Sequence, residues 1–97
     1  MLMVVLNNGK TEEMSQNRLG KSISKAFTAT GLPHTSYIGQ MIAKAVMDKM
    51  EKNKVTDITP PLISIYTFNI LIDLGYTDEA YVYQSLQYLK ANDEEEE

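Results

Sequence analysis

The segment from Thr59 to Gly75 restricts the fold of this chain more than any other part of the sequence. Thr59 is a good helix cap, and the two prolines after it have no amide hydrogen to lose in a first helical turn. From Leu62 to Leu74 the segment is apolar on nearly every side, and Gly75 suits the left-handed stop of a helix. Because a helix that is apolar all round belongs in the interior, we predict a central helix from Pro60 to Leu74.

Residues 1–14 have the pattern of a β-hairpin. Met1 to Asn7 is rich in valine and leucine, and Asn8-Gly9 is the dipeptide that best tolerates the positive φ angles of a two-residue type I′ turn. Lys10 to Met14 is then the returning strand. Since a two-stranded ribbon alone is only marginally stable, we expect this one to lie on the helices.

Three further helices are predicted from apolar residues at helical spacing and from capping residues. The first is capped by Ser15, stops at Gly31 and has a buried stripe at Leu19, Ile23, Ala26 and Phe27. The second is capped by Thr35 or Ser36, and its predicted buried face is Ile38, Met41, Ile42, Ala45 and Val46. The last is capped by Thr77, with an apolar stripe at Val82, Leu86 and Leu89.

These elements predict an α+β fold in which an N-terminal β-hairpin lid packs on a four-helix bundle. The short stretch from Val55 to Thr59 is either a third strand or a linker. A chain of 97 residues is long enough to bury one core and rarely divides into two. We predict a single domain over residues 1–91 and a disordered acidic tail over 92–97, because like charges cannot bury apolar surface.

The residue composition excludes several classes of function. The sequence has no cysteine and one histidine, His34, so it offers no disulfide framework, thiolate nucleophile or cysteine zinc site. His34 has no acid nearby in sequence to orient it, and an ordinary loop histidine is the more frequent case. We find no paired carboxylates and no nucleophile with a base, and we expect a protein that is not an enzyme. No stretch approaches the roughly 20 apolar residues of a membrane span, and no secretory signal is recognisable, so we expect a cytoplasmic protein without a membrane partner.

The net charge of −4 comes from one end of the chain. Asp93 to Glu97 supply five of the 13 acids, which leaves eight acids against nine bases elsewhere. The predicted domain is therefore close to neutral, and the acidic tail weakens binding to nucleic acid. We do not expect a nucleic-acid partner.

Three bases fall on one face of the first predicted helix, opposite its apolar stripe. They are Arg18, Lys21 and Lys25, at positions i, i+3 and i+7. Such a stripe can hold phosphates beneath the hairpin, and a solvated helix face is the alternative. Glu12 on the returning strand is either a hydrogen-bond acceptor for a base or sugar, or an exposed carboxylate.

Six stretches follow one another in an order and spacing that resemble a known family. They are Val4 to Gly9, Lys10 to Ser15, Arg18 to Ala26, Ile58-Thr59 with Leu62 and Ile63, Leu71 to Tyr76, and Ala80-Tyr81. Over nearly the whole chain they resemble the ATP-cone. This is a small nucleotide-binding regulatory domain of many ribonucleotide reductases and of the bacterial repressor of their genes. The resemblance implies a hairpin lid over four helices, and an oligomeric state that responds to ATP and dATP.

The resemblance also implies which residues bind the nucleotide. In the family, an acid on the second strand, a base that opens the first helix and a hydroxyl before the third helix belong to the site. With the next lysine on the basic stripe and a residue of the hairpin turn, the candidate binding residues are Glu12, Arg18, Lys21, Thr59 and Asn7. The implied ligand is ATP or dATP, with no metal beyond a nucleotide-bound magnesium ion.

The lysine–arginine pair that holds the phosphates in the family is absent. Its positions are Leu6 and Asn7 here. Leucine donates no hydrogen bond, and asparagine donates one without charge. Each charge-assisted contact to a phosphate is worth roughly 1.5–3 kcal/mol, so the loss of two weakens binding by roughly two to four decades unless other bases compensate.

Two functional hypotheses follow. The first is a small non-catalytic regulatory module that binds an adenine nucleotide and couples its occupancy to assembly with a protein partner or a second copy. The alternative is a degenerate ATP-cone-like interaction or oligomerisation module that no longer binds nucleotide and docks through tyrosine and methionine side chains. The retained Glu12, Arg18 and Thr59 favour the first, and the missing pair favours the second.

Overall fold

The part of the chain that the structure describes consists of an antiparallel ribbon and four helices. The computed structural model describes the backbone of residues 2–33 and 35–96, and the side chains as far as Tyr88 apart from His34. Predictions for Met1, His34 and Glu97 fall outside the described residues. In chain order the elements are β1 (Met3–Val5), β2 (Thr11–Glu13), α1 (Gln16–Ala29), α2 (Thr35–Lys52), α3 (Pro60–Asp73) and α4 (Thr77–Glu96). This composition agrees with the predicted α+β class.

The ribbon is a hairpin, but its turn differs from the predicted one. The paired residues of β1 and β2 are Met3 with Glu13, Val4 with Glu12, and Val5 with Thr11. The Leu6 N–H donates to the Lys10 carbonyl at 2.8 Å, which leaves a loop of residues 7–9. Within this loop, all of which is described, Gly9 alone has a positive φ, at +83°. The two-residue type I′ turn is therefore wrong, because Asn8 keeps a negative φ and Gly9 alone supplies the left-handed residue of a three-residue loop.

The ribbon is tied to the helices through Ile58. The Val5 N–H donates to the Ile58 carbonyl at 2.7 Å, and Val4 forms an isolated parallel bridge with Ile58. The stretch from Val55 to Thr59 therefore contributes one bridging residue. Because Ile58 is also buried, this contact holds the ribbon beside the start of α3.

Helices α1 and α2 pack closely and supply much of the buried core. A methyl group at Gly39 of α2 would collide with the Gly20 carbonyl and with Ser24 of α1. The Ser24 hydroxyl lies 2.8 Å from the carbonyl oxygens of Gly20 and Thr35 and so joins the two helices. The buried apolar residues of this pair are Leu19, Ile23, Ala26 and Phe27 from α1, and Ile42, Ala43, Val46 and Met50 from α2.

The predicted buried face of α2 is wrong at two positions. Met41 is 55% exposed and Ala45 is exposed, whereas Gly39 and Ala43 are buried. Gly39 faces α1, where an added methyl group would collide with the α1 backbone. Ile42 and Val46 are buried as predicted, but a pattern based on large apolar residues leaves out the buried small residues Gly39 and Ala43.

Helix α3 has the predicted start and ends at Asp73, one residue earlier than predicted, but it is not central. Its fully buried residues are Thr67 and Leu71, while Ile65 and Leu74 are each 56% exposed. The α1–α2 pair fills the interior, so α3 packs at the edge and leaves part of its apolar circumference at the surface. The absence of a polar face on α3 therefore does not mean that the helix is enclosed.

The predicted helix ends are confirmed at four positions. Ser15 and Thr59 cap α1 and α3, and each hydroxyl accepts the amide N–H three residues further on, at 3.2 and 3.4 Å. Gly31 and Gly75 follow the same two helices with left-handed φ angles of +85° and +89°. Lys54 takes the equivalent position after α2, with φ of +54°.

Helix α4 is capped one residue earlier than predicted. The Tyr76 carbonyl accepts the first helical hydrogen bond, from the Ala80 N–H at 2.9 Å, so Tyr76 takes the place expected for Thr77. Ala80 and Tyr83 are buried, and the side chain of Leu89 lies outside the described ones.

Helix α4 continues to Glu96. The domain boundary after residue 91 and the disordered tail stay predictions. Glutamate and alanine are good helix formers, which favours propagation of the helix beyond its packed part. Among the residues that the structure describes, no helix is long and apolar enough to cross a membrane.

Candidate anion-binding groove

A groove of about 850 Å³ lies between the ribbon and the first turns of α1. The start of α3 and the middle of α4 form its other walls. Its charged lining residues are Glu12, Glu13, Arg18, Lys21 and Lys25. Small-molecule sites in proteins commonly enclose about 300–1,000 Å³, so the groove has the size of a ligand site.

Four of the five candidate binding residues meet in this groove. Asn7 comes from the hairpin loop, Glu12 from β2, and Arg18 and Lys21 from α1. Thr59 is not among the lining residues, because its hydroxyl caps α3, although the next residue, Pro60, does line the groove. The structure therefore brings the ribbon residues together with Arg18 and Lys21. Thr59 stays at the start of α3, outside the lining of the groove.

The α1 bases face the groove because the other side of α1 is buried. Leu19 and Ile23 turn into the core, while Arg18, Lys21 and Lys25 follow at intervals of three and four residues and stay exposed. Residues at such intervals lie on neighbouring turns of one helix face. The bases therefore form a row along the groove, called the cationic row below.

Glu12 and Arg18 form an ion pair across the groove. The Arg18 Nη1 lies 3.0 Å from the Glu12 Oε1, and the side chains are 71% and 42% exposed respectively. An exposed pair of this kind contributes at most about 1 kcal/mol, so an anionic ligand can displace it. No described carboxylate lies within ion-pairing distance of Lys21 or Lys25.

The wall opposite the cationic row comes from α4. Tyr83, Gln87 and Tyr88 line it. Tyr83 is buried, and this burial raises the pKa of its hydroxyl above the usual 10.0, while hydrogen bonds with Thr67 and Ser64 act in the opposite direction. Tyr88 is 67% exposed, so its ring is accessible to a stacking partner.

Sequence reasoning missed this α4 wall because it followed another stripe of the helix. Tyr76, Ala80, Tyr83 and Gln87 recur at intervals of four, three and four residues, which is also a helical spacing. That spacing was a usable signal for the face that packs inward, but the larger aliphatic residues Val82 and Leu86 obscured it.

Leu6 occupies the place that the ATP-cone resemblance assigns to a phosphate-binding lysine. Its side chain lines the groove, is half-buried and packs against the hydrophobic core. Near it, Asn8 accepts the Lys10 N–H through Oδ1 at 3.0 Å, which stiffens the loop. The ribbon side of the groove is therefore apolar and uncharged at this point, and the positive charge lies on α1.

A second, shallower recess shares two members of the cationic row. It measures about 420 Å³ and is lined by Lys21, Ser24, Lys25, Thr28 and Ser36. Hydroxyl groups therefore surround the row on the side away from the ribbon. Both recesses offer hydrogen-bond donors to an anion that contacts the two lysines.

Comparison with models of known protein families gives no match for this chain. Comparison with curated proteins also gives no match.

Proposed function

We propose that this chain is a small non-catalytic regulatory module that binds an adenine nucleotide, ATP or dATP, in the groove between the ribbon and α1. The observation that carries the proposal is the cationic row, since Arg18, Lys21 and Lys25 line one wall of a groove large enough for a small molecule. In this proposal the phosphates contact the row, and a nucleotide-bound magnesium ion accompanies them. The adenine identity follows from the resemblance to the ATP-cone.

The two walls of the groove support this orientation of the ligand. Charged donors on α1 suit phosphates, and the exposed ring of Tyr88 on α4 suits stacking with a base. Glu12 can accept hydrogen bonds from a sugar or base once Arg18 turns to the phosphates. The missing Lys-Arg pair makes the site weaker than a complete one, so we expect a dissociation constant in the micromolar to millimolar range.

The regulatory part of the proposal is a coupling between nucleotide and assembly. A ligand shifts an assembly equilibrium only by the difference in its affinity for the two states. The partner, whether another protein or a second copy of this chain, must therefore either complete the groove or compete for it. The module needs no catalytic group for this role.

Calorimetric titration with ATP and with dATP tests the nucleotide part. We expect measurable heat for the wild type and at least about tenfold weaker binding for Lys21→Gln with Lys25→Gln, because two charge-assisted contacts are lost. The matched control is Lys49→Gln with Lys52→Gln, which removes the same charge from the exposed end of α2 and should bind like the wild type. Absence of heat at millimolar nucleotide would rule the proposal out.

The second candidate function is an interaction module that does not bind nucleotide. Two observations favour it: Leu6 fills a position where the family has a cation, and large apolar side chains lie at the surface. Tyr37 and Met41 of α2 are 70% and 55% exposed and lie one helical turn apart. Such side chains are frequent at protein interfaces.

Restoring the missing cations separates the two functions. Asn7→Arg, alone and with Leu6→Lys, adds one or two positive charges to the ribbon side of the groove. If the groove is a weakened nucleotide site, each added cation should strengthen ATP binding by about tenfold or more. The single variant guards against a packing defect, because Leu6 contacts the core and Asn7 is exposed. No gain in either variant would favour the interaction module.

A further inference from the structure

The acidic end of α4 extends away from the cationic row of its own molecule. Near the end of α1, the ring of Phe27 packs edge-on against Tyr76, with 5.0 Å between ring centroids. Near the start of α1, Arg18 shares the groove with Tyr88. Helices α1 and α4 therefore run antiparallel, and α4 passes the first turn of α1 at about Tyr88.

Beyond Tyr88 the helix carries its acids further from Lys21 and Lys25. Each helical residue advances about 1.5 Å, so the backbone from Asp93 to Glu96 lies about 7.5–12 Å past Tyr88 along the axis. Lys21 lies on the opposite side of Arg18 from this end. A helical α4 therefore cannot bring Asp93 to Glu96 back to the lysines of the same molecule.

The charges of these two regions are complementary. The last five residues of the sequence are all acidic, while Arg18, Lys21 and Lys25 line an accessible groove. Lys21 and Lys25 line both the groove and the second recess, and both side chains are exposed. Opposite charge steers association and selects the partner surface.

We propose that the acidic residues 93–97 at the end of the sequence, called the acidic end, dock on the cationic row of a second copy of this chain. The inference deepens the proposed function, and its second part rests on that function: a nucleotide in the groove competes with the acidic end for Lys21 and Lys25. Nucleotide binding then separates the copies, and assembly weakens the apparent affinity for nucleotide by the same factor.

The first test is the mass of the full chain in solution without nucleotide. Sedimentation equilibrium at about 20 mM salt should give a weight-average mass above 11.0 kDa that rises with protein concentration. At about 0.5 M salt the mass should return to that of one chain, because the ions screen the contact. A single-chain mass at every concentration in low salt would overturn the inference.

Charge-neutral variants locate the contact. The tail variant carries Asp93→Asn with Glu94→Gln, Glu95→Gln, Glu96→Gln and Glu97→Gln, and the groove variant carries Lys21→Gln with Lys25→Gln. Each should associate at least about tenfold more weakly than the wild type, because exposed ion pairs hold the contact together. The control Lys49→Gln with Lys52→Gln should associate as the wild type does, and equal weakening in the control would overturn the inference.

Mixing the two variants distinguishes a second copy from the same molecule. The tail variant keeps an intact groove and the groove variant keeps an intact acidic end, so the mixture should associate more strongly than either variant alone. If the acidic end instead occupies its own groove, the mixture stays monomeric and the tail variant binds ATP more tightly at every protein concentration. That result would overturn docking between copies.

Adding ATP distinguishes a failure of the docking proposal from a failure of the proposed function. ATP should lower the mass of the wild type and bind the tail variant more tightly than the wild type at high protein concentration. If no variant binds ATP, the proposed function fails while the mass measurements still decide the docking. If ATP binds but the tail variant and the groove variant associate as the wild type does, the docking proposal is wrong and the nucleotide site stands.

Discussion

Lys54 has a left-handed backbone conformation, which costs free energy for a residue other than glycine. Its φ of +54° follows the last turn of α2, where the Val55 N–H returns to the Met50 carbonyl at 3.0 Å. The helices α1 and α3 place glycine at this position, and a left-handed non-glycine residue costs roughly 1–2 kcal/mol.

Replacing this residue should therefore stabilise the protein. We expect Lys54→Gly to raise the free energy of unfolding by about 0.5–1 kcal/mol, since relief of strain exceeds the added flexibility of the unfolded chain. Urea denaturation measures the change. Lys49→Gly, in the helical part of α2, is the control and should destabilise by about 1 kcal/mol. A loss of stability in Lys54→Gly would contradict the strain at this position.

Tyr83 should make the folded protein less stable at high pH. Burial raises its pKa in the folded state above 10.0, whereas the unfolded chain ionises near 10.0. The contribution of the buried neutral hydroxyl to stability is fully present below pH 10.0. Between pH 10.0 and the pKa of the folded state, the unfolded state holds fewer protons than the folded state. The free energy of unfolding therefore falls as the pH rises through this range.

Tyr83→Phe should remove this part of the pH dependence. The variant keeps the buried ring and loses only the hydroxyl, whose polar neighbours are Thr67 and Ser64, so its stability near neutral pH should be lower by up to about 1 kcal/mol. The difference between wild type and variant should shrink as the pH rises from about 9 to about 11, because the wild type alone has this buried ionisation. A difference that stays constant by urea denaturation over this range would contradict the burial of the hydroxyl.

At the scale of elements, the close approach of α1 and α2 depends on Gly39. Because a methyl group there meets backbone and Ser24, Gly39→Ala should destabilise the protein by about 1–3 kcal/mol. Gly20→Ala is the matched control. Its added methyl meets the side chain of Gln40, which can rotate, so the stability should stay within about 1 kcal/mol of the wild type. Thermal unfolding of both variants measures the contrast, and equal losses would contradict the close packing at Gly39.

The sequence predicted where elements begin more reliably than which of their faces is buried. Capping is a local interaction, so Ser15 and Thr59 indicate their helix starts without knowledge of the rest of the fold. The buried face of α2 depends on how near α1 can come, and that distance is set by a glycine that apolar periodicity ignores. The position of α3 depends in the same way on which helices compete for the interior.

At the scale of the whole molecule, the charge distribution separates into a cationic groove and an acidic helix end. The groove could be predicted in part: the spacing of Arg18, Lys21 and Lys25 places them on one face, and the hairpin has to lie on the helices. Its α4 wall could not, because Tyr83 and Tyr88 reach it only through the antiparallel packing of α1 and α4. Contacts between segments distant in sequence leave little trace in local patterns.

The proposed site predicts which backbone amides change their NMR shifts when a nucleotide binds. NMR measurement of backbone amide shifts during titration with ATP is the most direct test of it. We expect the largest shifts in residues 6–13 of the ribbon and 18–25 of α1, with smaller ones at Gln87 and Tyr88, and none at Tyr37. No change at millimolar ATP, or shifts confined to the exposed apolar residues of α2 and α3, would contradict a nucleotide site beneath the ribbon.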